Sequence, residues 1–236
     1  MKFLLTIAGF DPTGGAGILR DVKTFSHFGF LGGGIVTVNT VQNTKGVRDL
    51  AFVEGSFLLS QLKTVLEDLS PKGVKVGIPH REREVNRKVS EILSSLSVPV
   101  VFDPVLSPTF GKEFVENIEV LLPLIEISTV LTPNYSEFLK LKEFLRGKTF
   151  IVKGWPYGDK VYDILFINGS EADRVCHEKD GRVVRGTGCA FSSALTALLA
   201  KRLSLGEAFR KAVNFITEYR RSAFEIEGAP QLYPSL

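Results

Sequence analysis

The segment with the clearest chemical potential covers residues 185–200 and reads RGTGCAFSSALTALLA. The small residues Gly186, Thr187 and Gly188 precede an apolar helical pattern, so backbone N–H groups are left free at a helix start. Together with the positive end of the helix dipole, these groups make a binding site for an anion such as phosphate. Cys189 falls in the first turn, where the dipole is expected to lower a thiol pKa. The spacing alone is equally compatible with a glycine turn followed by a small apolar cysteine.

A second candidate is Asp21, which lies in a predicted helix after a glycine-rich turn. Ile18, Val22 and Phe25 form the apolar stripe of that helix, and Asp21 falls on the same stripe. Burying an unpaired carboxylate is costly, so Asp21 either caps or pairs internally, or faces a cavity and holds a ligand. We expect the ligand role, because this helical turn lies just beyond the carboxyl edge of the predicted sheet.

The glycine-rich turn itself, GFDPTGGAG at residues 9–17, differs from two common nucleotide-binding motifs. Gly15-Ala16 stands where a P-loop has Lys followed by Ser or Thr. Arg20 stands at the third glycine position of a dinucleotide fingerprint, which disfavours a dinucleotide-dependent oxidoreductase. The glycines are better suited to a close approach of the backbone to a ligand or to a facing helix.

The elements that must position these residues alternate between strands and helices. Strands are predicted at residues 3–9, 34–41, 74–77, 98–102, 128–132 and 149–153, with an edge hairpin between about 160 and 184. Helices are predicted at about 15–28, 56–69, 84–96, 113–124, 135–146, 188–202 and 205–224. This alternation predicts one α/β domain over residues 1–236, with a mostly parallel sheet and helices on both faces.

Polar residues or glycines follow each predicted strand. They are Asp11, Gln42 to Thr44, Gly77, Asp103-Pro104, Thr132 to Asn134, and Lys153-Gly154. Ligands of open α/β sheets bind outside the carboxyl ends of the strands. We therefore expect these side chains to meet around one site.

The composition excludes several classes of protein. The chain has 236 residues, 44% of them hydrophobic and 23% charged, which is the range of globular proteins rather than of disordered ones. A net charge of +3 without a basic run gives no indication of a nucleic-acid partner. No apolar run is long enough for a membrane span. Two cysteines make no disulfide framework, so a cytoplasmic location is expected.

The motifs, taken together, resemble those of bacterial hydroxymethylpyrimidine and phosphomethylpyrimidine kinases, which are thiamin-synthesis enzymes of the ribokinase-like superfamily. The resemblance extends from about residue 4 to about residue 216. It is carried, in order, by TIAGFDPTGGAGILRDVKTF (6–25), TVQNTKGV (40–47), VKVGI (74–78), VFDPV (101–105), LTPNYSEF (131–138) and GTGCAFSSA (186–194). The fold that this resemblance implies is a single-domain, three-layer ribokinase-like sandwich.

The resemblance also implies an activity. The enzyme would use ATP and Mg²⁺ to phosphorylate the hydroxymethyl group of 4-amino-5-hydroxymethyl-2-methylpyrimidine, and then the resulting monophosphate. Its partners would be the pyrimidine and ATP, and the chain would form a homodimer.

Site residues follow from the same resemblance. Asp21 and Gln42 match positions that hydrogen-bond the pyrimidine, and Ile78 matches a position that lines its pocket. Cys189 matches the position credited with activating the hydroxyl group. The remaining matches are Gly186, Thr187 and Gly188 for the anion hole, Asp103 and Glu137 for the metal, and Lys153, Asn134 and Thr187 for the nucleotide.

The sequence departs from the family pattern at several points. Ile78 replaces a usual Met, and Arg185 replaces a usual His before the Gly-Thr-Gly-Cys motif. Residues 153–156 and the loop at 107–111 also differ from the usual pattern. Two alternatives stay open: a pyridoxal kinase of the same superfamily, and a non-catalytic pyrimidine-binding module.

Overall fold

A nine-stranded sheet runs through the computed structural model, which describes residues 2–107, 113–115 and 117–236. Its strands are β1 (Phe3–Phe10), β2 (Leu31–Asn43), β3 (Gly46–Phe52), β4 (Val74–Val76), β5 (Val100–Phe102), β6 (Val130–Leu131), β7 (Phe150–Tyr157), β8 (Lys160–Ile167) and β9 (Ser170–Glu178). Their order across the sheet is β3-β2-β1-β4-β5-β6-β7-β8-β9. Neighbours from β2 to β7 are parallel, whereas β3, β8 and β9 pair antiparallel at the two sides.

Helices cover both faces of this sheet. On one face lie α1 (Gly17–His27), α6 (Thr187–Ala200) and α7 (Leu205–Arg221). On the other lie α2 (Gly55–Asp68), α3 (Arg83–Ser94), α4 (Leu122–Ile127), which follows a short 3₁₀ turn at Ile118–Leu121, and α5 (Tyr135–Leu141). A small ribbon of β10 (Ala223–Phe224) and β11 (Tyr233–Pro234) brings the C-terminal segment back against the body.

The central strands are apolar because both of their faces are covered. β1 is buried at every position from Phe3 to Gly9, and β5 is buried throughout. Lys75 in β4 is the exception: a fully buried cation in an otherwise apolar strand, paired in the sheet with Thr6. The predicted α/β class, the mostly parallel sheet and the two helical layers are all confirmed.

The structure differs from the predicted elements at three places. Strand β3 was not predicted, because it is an edge strand with polar Arg48 and Asp49 at its middle. The helix predicted over 113–124 is wrong in position: the described residues before 118 are not helical, and α4 begins at Leu122. Pro123 explains the shift, since proline favours a first helical turn and disfavours a helix interior. The helix predicted to reach 146 ends at Leu141.

Part of the sequence-based interpretation lies outside the described residues. The departure from the family pattern at residues 107–111 falls mostly there. Within the described part of the chain, no helix combines the length and the apolar character needed to cross a bilayer.

Candidate active site

A cavity of about 990 Å³ opens at the carboxyl edge of the sheet. The ends of β1, β4, β5, β6 and β7 and the start of α6 all contribute to its lining. Of the residues singled out in the sequence, those that line it are Gln42, Ile78, Asp103, Asn134, Glu137, Lys153, Gly186, Thr187, Gly188 and Cys189. The structure thus brings together every predicted site residue except Asp21.

The start of α6 has the geometry of an anion site. Gly186 precedes the helix in the left-handed region with φ of 74°, and as a glycine it supplies no side-chain cap to the helix. A Cβ atom on Gly186 would lie 2.1 Å from the carbonyl oxygen of Gly15, so only glycine fits. A Cβ atom on Gly188 would lie 3.4 Å from Lys153 Nζ and 3.8 Å from Asp103 Oδ2. Glycine at this position keeps open the space between the helix start and those two charges.

Asp103 and Lys153 form an ion pair beside that space. Lys153 Nζ donates to Asp103 Oδ1 at 2.8 Å, and Thr132 and Ser192 donate their hydroxyls to the two carboxylate oxygens at 3.2 Å each. Burial opposes ionisation of Asp103, but the two cations Lys153 and Lys75 and these hydrogen bonds hold its pKa below the usual value. Asp103 is therefore a carboxylate that is charged at neutral pH.

Glu137 is held by the N-cap of α5. Its Oε2 accepts from the backbone N–H of Asn134 at 2.8 Å, while Asn134 Oδ1 accepts from the N–H of Glu137 at 2.9 Å. Burial raises the pKa of Glu137 to about 7, with Asp103 adding to the shift and Lys153 opposing it. Glu137 thus carries a partial charge near neutral pH, and a bound cation would shift it towards the carboxylate form.

The residues fit a Mg²⁺ ion that arrives with phosphates rather than one held by the protein alone. Within the described residues no group of three or more His, Cys, Asp or Glu side chains could hold a metal. Asp103 and Glu137 both line the cavity, and one or two carboxylates are enough for a Mg²⁺ ion that keeps waters and phosphate oxygens. The open space at Gly188, beside Asp103 Oδ2, is the place that such an ion and its phosphates could enter.

Cys189 is partly exposed in the cavity, in the first turn of α6. Burial of the thiol raises its pKa, and Asp21 and Asp103 act in the same direction, whereas the Lys75 cation and the N–H of Gly17 lower it. The predicted lowering of the Cys189 pKa is therefore wrong. Desolvation by the surrounding protein outweighs the helix dipole and the nearby cation.

Asp21 does not face the cavity. It is fully buried, and its Oδ2 accepts from Lys75 Nζ at 2.8 Å and from Thr6 Oγ1 at 2.7 Å. Its Oδ1 accepts from Ser193 Oγ at 2.8 Å. The predicted contact between Asp21 and a ligand is corrected accordingly: the carboxylate pairs internally, and it reaches the site through Lys75.

Lys75 is the site residue that sequence reasoning missed. It lines the cavity, and although burial disfavours its charge, Asp21 and the thiol and carboxyl groups around it raise its pKa above the usual value. Lys75 is thus a permanent cation between Asp21 and the cavity. The signal was present in the sequence, since a lysine interrupts the apolar strand VKVG.

Gln42 and Ile78 also line the cavity. Gln42 accepts from Thr40 Oγ1 at 3.1 Å and donates to Asp11 Oδ2 at 3.4 Å. Ile78 packs against Gly9, where an added Cβ would lie 2.8 Å from Ile78 Cδ1. Gln42 and Ile78 therefore give the lining an apolar side chain and an amide that can both donate and accept hydrogen bonds.

Arg185 closes the cavity beside Asp11. Arg185 Nη2 donates to Asp11 Oδ2 at 2.9 Å, and Asp11 Oδ1 accepts from both the N–H and the hydroxyl of Thr13. The usual His of the family pattern is thus replaced by a cation that is fixed in position by a carboxylate.

A mostly parallel sheet between two helical layers, with an anion-binding helix start facing a charged pair across a cavity, defines a small-molecule kinase of the ribokinase-like fold. The chain belongs to the phosphomethylpyrimidine kinase family, whose model matches residues 11–231.

Relatives of known name agree with this assignment. The chain is 34% identical to a hydroxymethylpyrimidine/phosphomethylpyrimidine kinase of Aquifex aeolicus, over 91% of this chain and 92% of the relative. A hydroxymethylpyrimidine/phosphomethylpyrimidine kinase of Bacillus subtilis is also 34% identical to this chain, over 91% of this chain and 87% of the relative.

Solved structures of two kinds are similar to this one. The pyridoxal kinase of Staphylococcus aureus in complex with AMP-PCP and pyridoxal gives a TM-score of 0.84 at 26% identity, covering 97% of this chain and 91% of that chain. The phosphomethylpyrimidine kinase of Clostridium difficile gives a TM-score of 0.76 at 29% identity, covering 92% and 99%.

Proposed function

We propose that this protein transfers the γ-phosphoryl group of ATP to the hydroxymethyl group of 4-amino-5-hydroxymethyl-2-methylpyrimidine, and then phosphorylates the monophosphate. The observation that carries the proposal is the start of α6, where Cys189 and uncapped backbone amides face Asp103 and Lys153 across the space at Gly188. The names of the 34%-identical relatives support this choice of substrate. A homodimer stays an expectation from the family resemblance, and a cytoplasmic location stays an expectation from the cysteine content.

Phosphoryl transfer needs positioning and charge neutralisation more than covalent chemistry. In our proposal the amides of Gly186, Thr187 and Gly188 receive the transferred phosphoryl group, where preorganised donors stabilise charge that develops in the transition state. Lys153 neutralises phosphate charge from the side of β7. Mg²⁺, held through Asp103 and Glu137, would supply further positive charge when it is bound with ATP.

Cys189 removes the proton of the attacking hydroxyl group. As the bond from the substrate oxygen to the γ-phosphorus forms and ADP leaves, the hydroxyl proton passes to the Cys189 thiolate. The Lys75 cation favours that thiolate, whereas burial disfavours it. The proton-accepting form of the thiol therefore becomes more abundant as the pH rises.

Phosphorylation of pyridoxal is a second candidate function. The similarity to a pyridoxal kinase that was solved with pyridoxal, at a TM-score of 0.84, supports it. Gln42 and the higher identity to the pyrimidine kinases favour the pyrimidine. A non-catalytic binding module is disfavoured, because it has no need of Lys153 and Asp103 beside an open helix start.

The test is to incubate the protein with Mg·ATP and a panel of pyrimidine and pyridoxal alcohols and to identify the products by mass. The expected products are the mono- and diphosphate of the aminopyrimidine. An Asp103→Asn variant should lose most of the turnover while still binding the pyrimidine. Exclusive formation of pyridoxal phosphate would overturn the choice of substrate, and ATP binding without any product would favour the binding module.

A further inference from the structure

Strand β7 contains one extra residue where it passes the cavity. Val152 pairs with Ile164 of β8. The next pair along the two strands is Trp155 with Tyr162, so three steps along β7 match two steps along β8. This is the count of a β-bulge. Gly154 lies in the interval with φ of 68°, in the left-handed region that favours glycine. The strand therefore bulges at Gly154.

The bulge sends the side chains on either side of it to opposite faces of the sheet. Alternate residues of a regular strand share a face, so Lys153 and Trp155 would lie on the same side without the bulge. Lys153 lies on the α6 side, where its Nζ is 6.0 Å from the ring centre of Phe191. Trp155 lies on the α5 side, with its ring centre 5.1 Å from that of Tyr135 and 5.3 Å from that of Phe138. The extra residue thus lets the lysine face the cavity while the tryptophan packs in the opposite layer.

Asp163 of β8 binds the backbone at the bulge. It lies between the two β8 residues whose pairing flanks the extra residue, and its Oδ1 accepts from the N–H of Gly154 at 2.9 Å. Its Oδ2 accepts from Nε2 of His177 in β9 at 3.0 Å. A side-chain oxygen thus supplies the acceptor for an N–H group where the regular pairing of the two strands is interrupted. Asp163, His177, Gly154 and Lys153 all line the cavity.

We propose that Asp163 is a positioning residue for Lys153: by accepting from Gly154 it holds the bulge that keeps the Lys153 ammonium group beside Asp103 and the start of α6. His177 binds the second carboxylate oxygen and thereby fixes the orientation of the Asp163 carboxyl group. Asp163 acts through the backbone and takes up no proton in the reaction. The inference rests on the proposed function, in which Lys153 neutralises phosphate charge of ATP.

The alternative to the bulge is a regular strand. A slip of one residue in the pairing moves every later side chain of a strand to the other face of the sheet. Trp155 would then leave the aromatic side chains of α5, and the backbone at Lys153 would shift. A displacement of about 1 Å in a group that positions a substrate can cost about 10²-fold in rate. Loss of the Asp163 carboxyl group should therefore affect the reaction through Lys153.

The kinetics of Asp163 variants test this role. kcat/KM for Mg·ATP and KM for the pyrimidine alcohol are measured in wild type, Asp163→Ala and Asp163→Asn. Asp163→Ala should lower kcat/KM for ATP by about 10–10²-fold and leave KM for the alcohol near its wild-type value. Asp163→Asn keeps an oxygen that accepts from Gly154, so it should restore most of the lost kcat/KM. Equal losses in the two variants would overturn the inference.

Trp155, the one tryptophan of the chain, reports on the bulge independently of activity. In Asp163→Ala its fluorescence emission should shift to longer wavelength and become more accessible to acrylamide, because the ring leaves its aromatic neighbours. Asp163→Asn should keep the wild-type emission. An unchanged emission in Asp163→Ala contradicts the inference, and so does a shifted emission with wild-type kinetics, because the bulge would then not position Lys153.

Asp173 of β9 offers a matched control. Its Oδ1 accepts from the N–H of Arg174 at 2.9 Å and from Arg210 Nη2 at 2.6 Å, so it too binds one backbone N–H and one basic side chain. The side chains of Asp163 and Asp173 are 15% and 18% exposed. Asp173 is not among the described residues that line the cavity, so Asp173→Ala should keep wild-type kinetics and emission. A similar fall in both alanine variants would attribute the effect to the edge of the sheet in general and overturn the inference.

A second variant is used if Asp163→Ala does not fold. An added Cβ at Gly154 has no heavy atom of the described residues within 4 Å beyond its chain neighbours, so Gly154→Ala opposes only the positive φ of the bulge. It should lower kcat/KM for ATP and shift the emission in the same directions, and wild-type values of both would overturn the inference.

The two readouts also separate this inference from the proposed function. A wild type that transfers no phosphoryl group to the alcohol overturns the proposed function. The positioning role is then supported if Asp163→Ala shifts the Trp155 emission and weakens calorimetric binding of Mg·ATP. It is overturned if wild type and Asp163→Ala bind Mg·ATP equally.

Discussion

Two aspartate–lysine pairs interact electrostatically with the Cys189 thiol, and the two pairs differ in their access to water. Lys75 and Asp21 are 2.8 Å apart and fully buried, whereas Lys153 and Asp103 are also 2.8 Å apart but the lysine side chain is 14% exposed. Every carboxylate oxygen of the first pair has partners inside the protein. The second pair borders the open space at Gly188.

This difference in exposure indicates different roles for the two pairs. The buried pair Lys75–Asp21 holds the site in place, whereas the pair Lys153–Asp103 can exchange a partner for a ligand. In a fully buried ion pair, neither residue can exchange its partner for a ligand without leaving a buried charge uncompensated. In the proposed reaction Lys153 would turn from Asp103 to a phosphate oxygen, because its side chain is partly exposed and lines the cavity. The structure therefore predicts that variants of the sealed pair lose stability first, while variants of the open pair lose turnover first.

The largest effect is expected for Lys75→Met. Removing the cation leaves the buried Asp21 carboxyl group without its ion-pair partner, which should lower the free energy of unfolding by about 3–5 kcal/mol. Equilibrium unfolding in urea measures this loss. The double variant Asp21→Asn with Lys75→Met should recover much of it, and a loss below about 1 kcal/mol in the single variant would contradict the assignment of Lys75 as a permanent cation.

Lys153→Met tests the open pair. We expect turnover to fall by about 10²–10³-fold, the cost of removing one preorganised charge or donor from a transition state, with a smaller loss of stability than in Lys75→Met. Steady-state kinetics with Mg·ATP measures the fall. Lys148→Met is the matched control, because Lys148 pairs with Glu126 in a surface ion pair. A fall of similar size in both variants would remove Lys153 from the transfer.

Glu137 should make stability depend on pH near neutrality. Its pKa of about 7 in the folded protein lies above the ordinary glutamate value of 4.5, so folding favours the protonated form. The resulting stabilisation is complete below about pH 4.5 and is lost as the pH rises through about 7. Relative to Glu137→Gln, the wild type should lose on the order of 3 kcal/mol over this range. Parallel unfolding profiles of the two proteins would contradict the raised pKa.

Cys189→Ala should lower turnover by about 10²-fold, the lower end of the range for general base catalysis, because burial keeps much of the thiol protonated. The wild-type rate should rise with pH above neutrality, and the rate of the variant should not. Cys176→Ala is the control for loss of a thiol, since Cys176 also lines the cavity but lies in the edge strand β9 and not in the first turn of α6. An undiminished rate in Cys189→Ala would leave the anion hole as the sole contributor from this helical turn.

Gly188→Ala has the smallest expected effect on folding. The added methyl group meets its neighbours at ordinary contact distances, and alanine is favoured over glycine in a helix, so stability should rise by up to about 1 kcal/mol. The same methyl group fills the space beside Lys153 and Asp103, so KM for ATP should increase severalfold. Thermal unfolding and ATP titration together test both effects, and an unchanged KM would mean that phosphates do not enter there.

The elements that the sequence failed to predict have local explanations. β3 lacks an apolar face along its whole length, because it lies at the edge of the sheet and, among the strands that the structure describes, pairs only with β2. The shift of the fourth helix follows from Pro123, whose effect on a helix depends on whether it stands in the first turn or in the interior. Both errors lie away from the start of α6 and did not affect the prediction of the anion site.

The sequence by itself determined the α/β class, the helix start at Gly186 to Cys189 and the meeting of Asp103, Asn134 and Lys153 at one edge. These follow from local patterns, since hydrophobic periodicity sets each element and parallel strands bring their carboxyl ends together. Only the tertiary structure decided the roles of Asp21 and Lys75 and the direction of the Cys189 pKa shift. Those depend on which charges become neighbours and how much water they keep, and Asp21 and Lys75 are 54 positions apart in the chain.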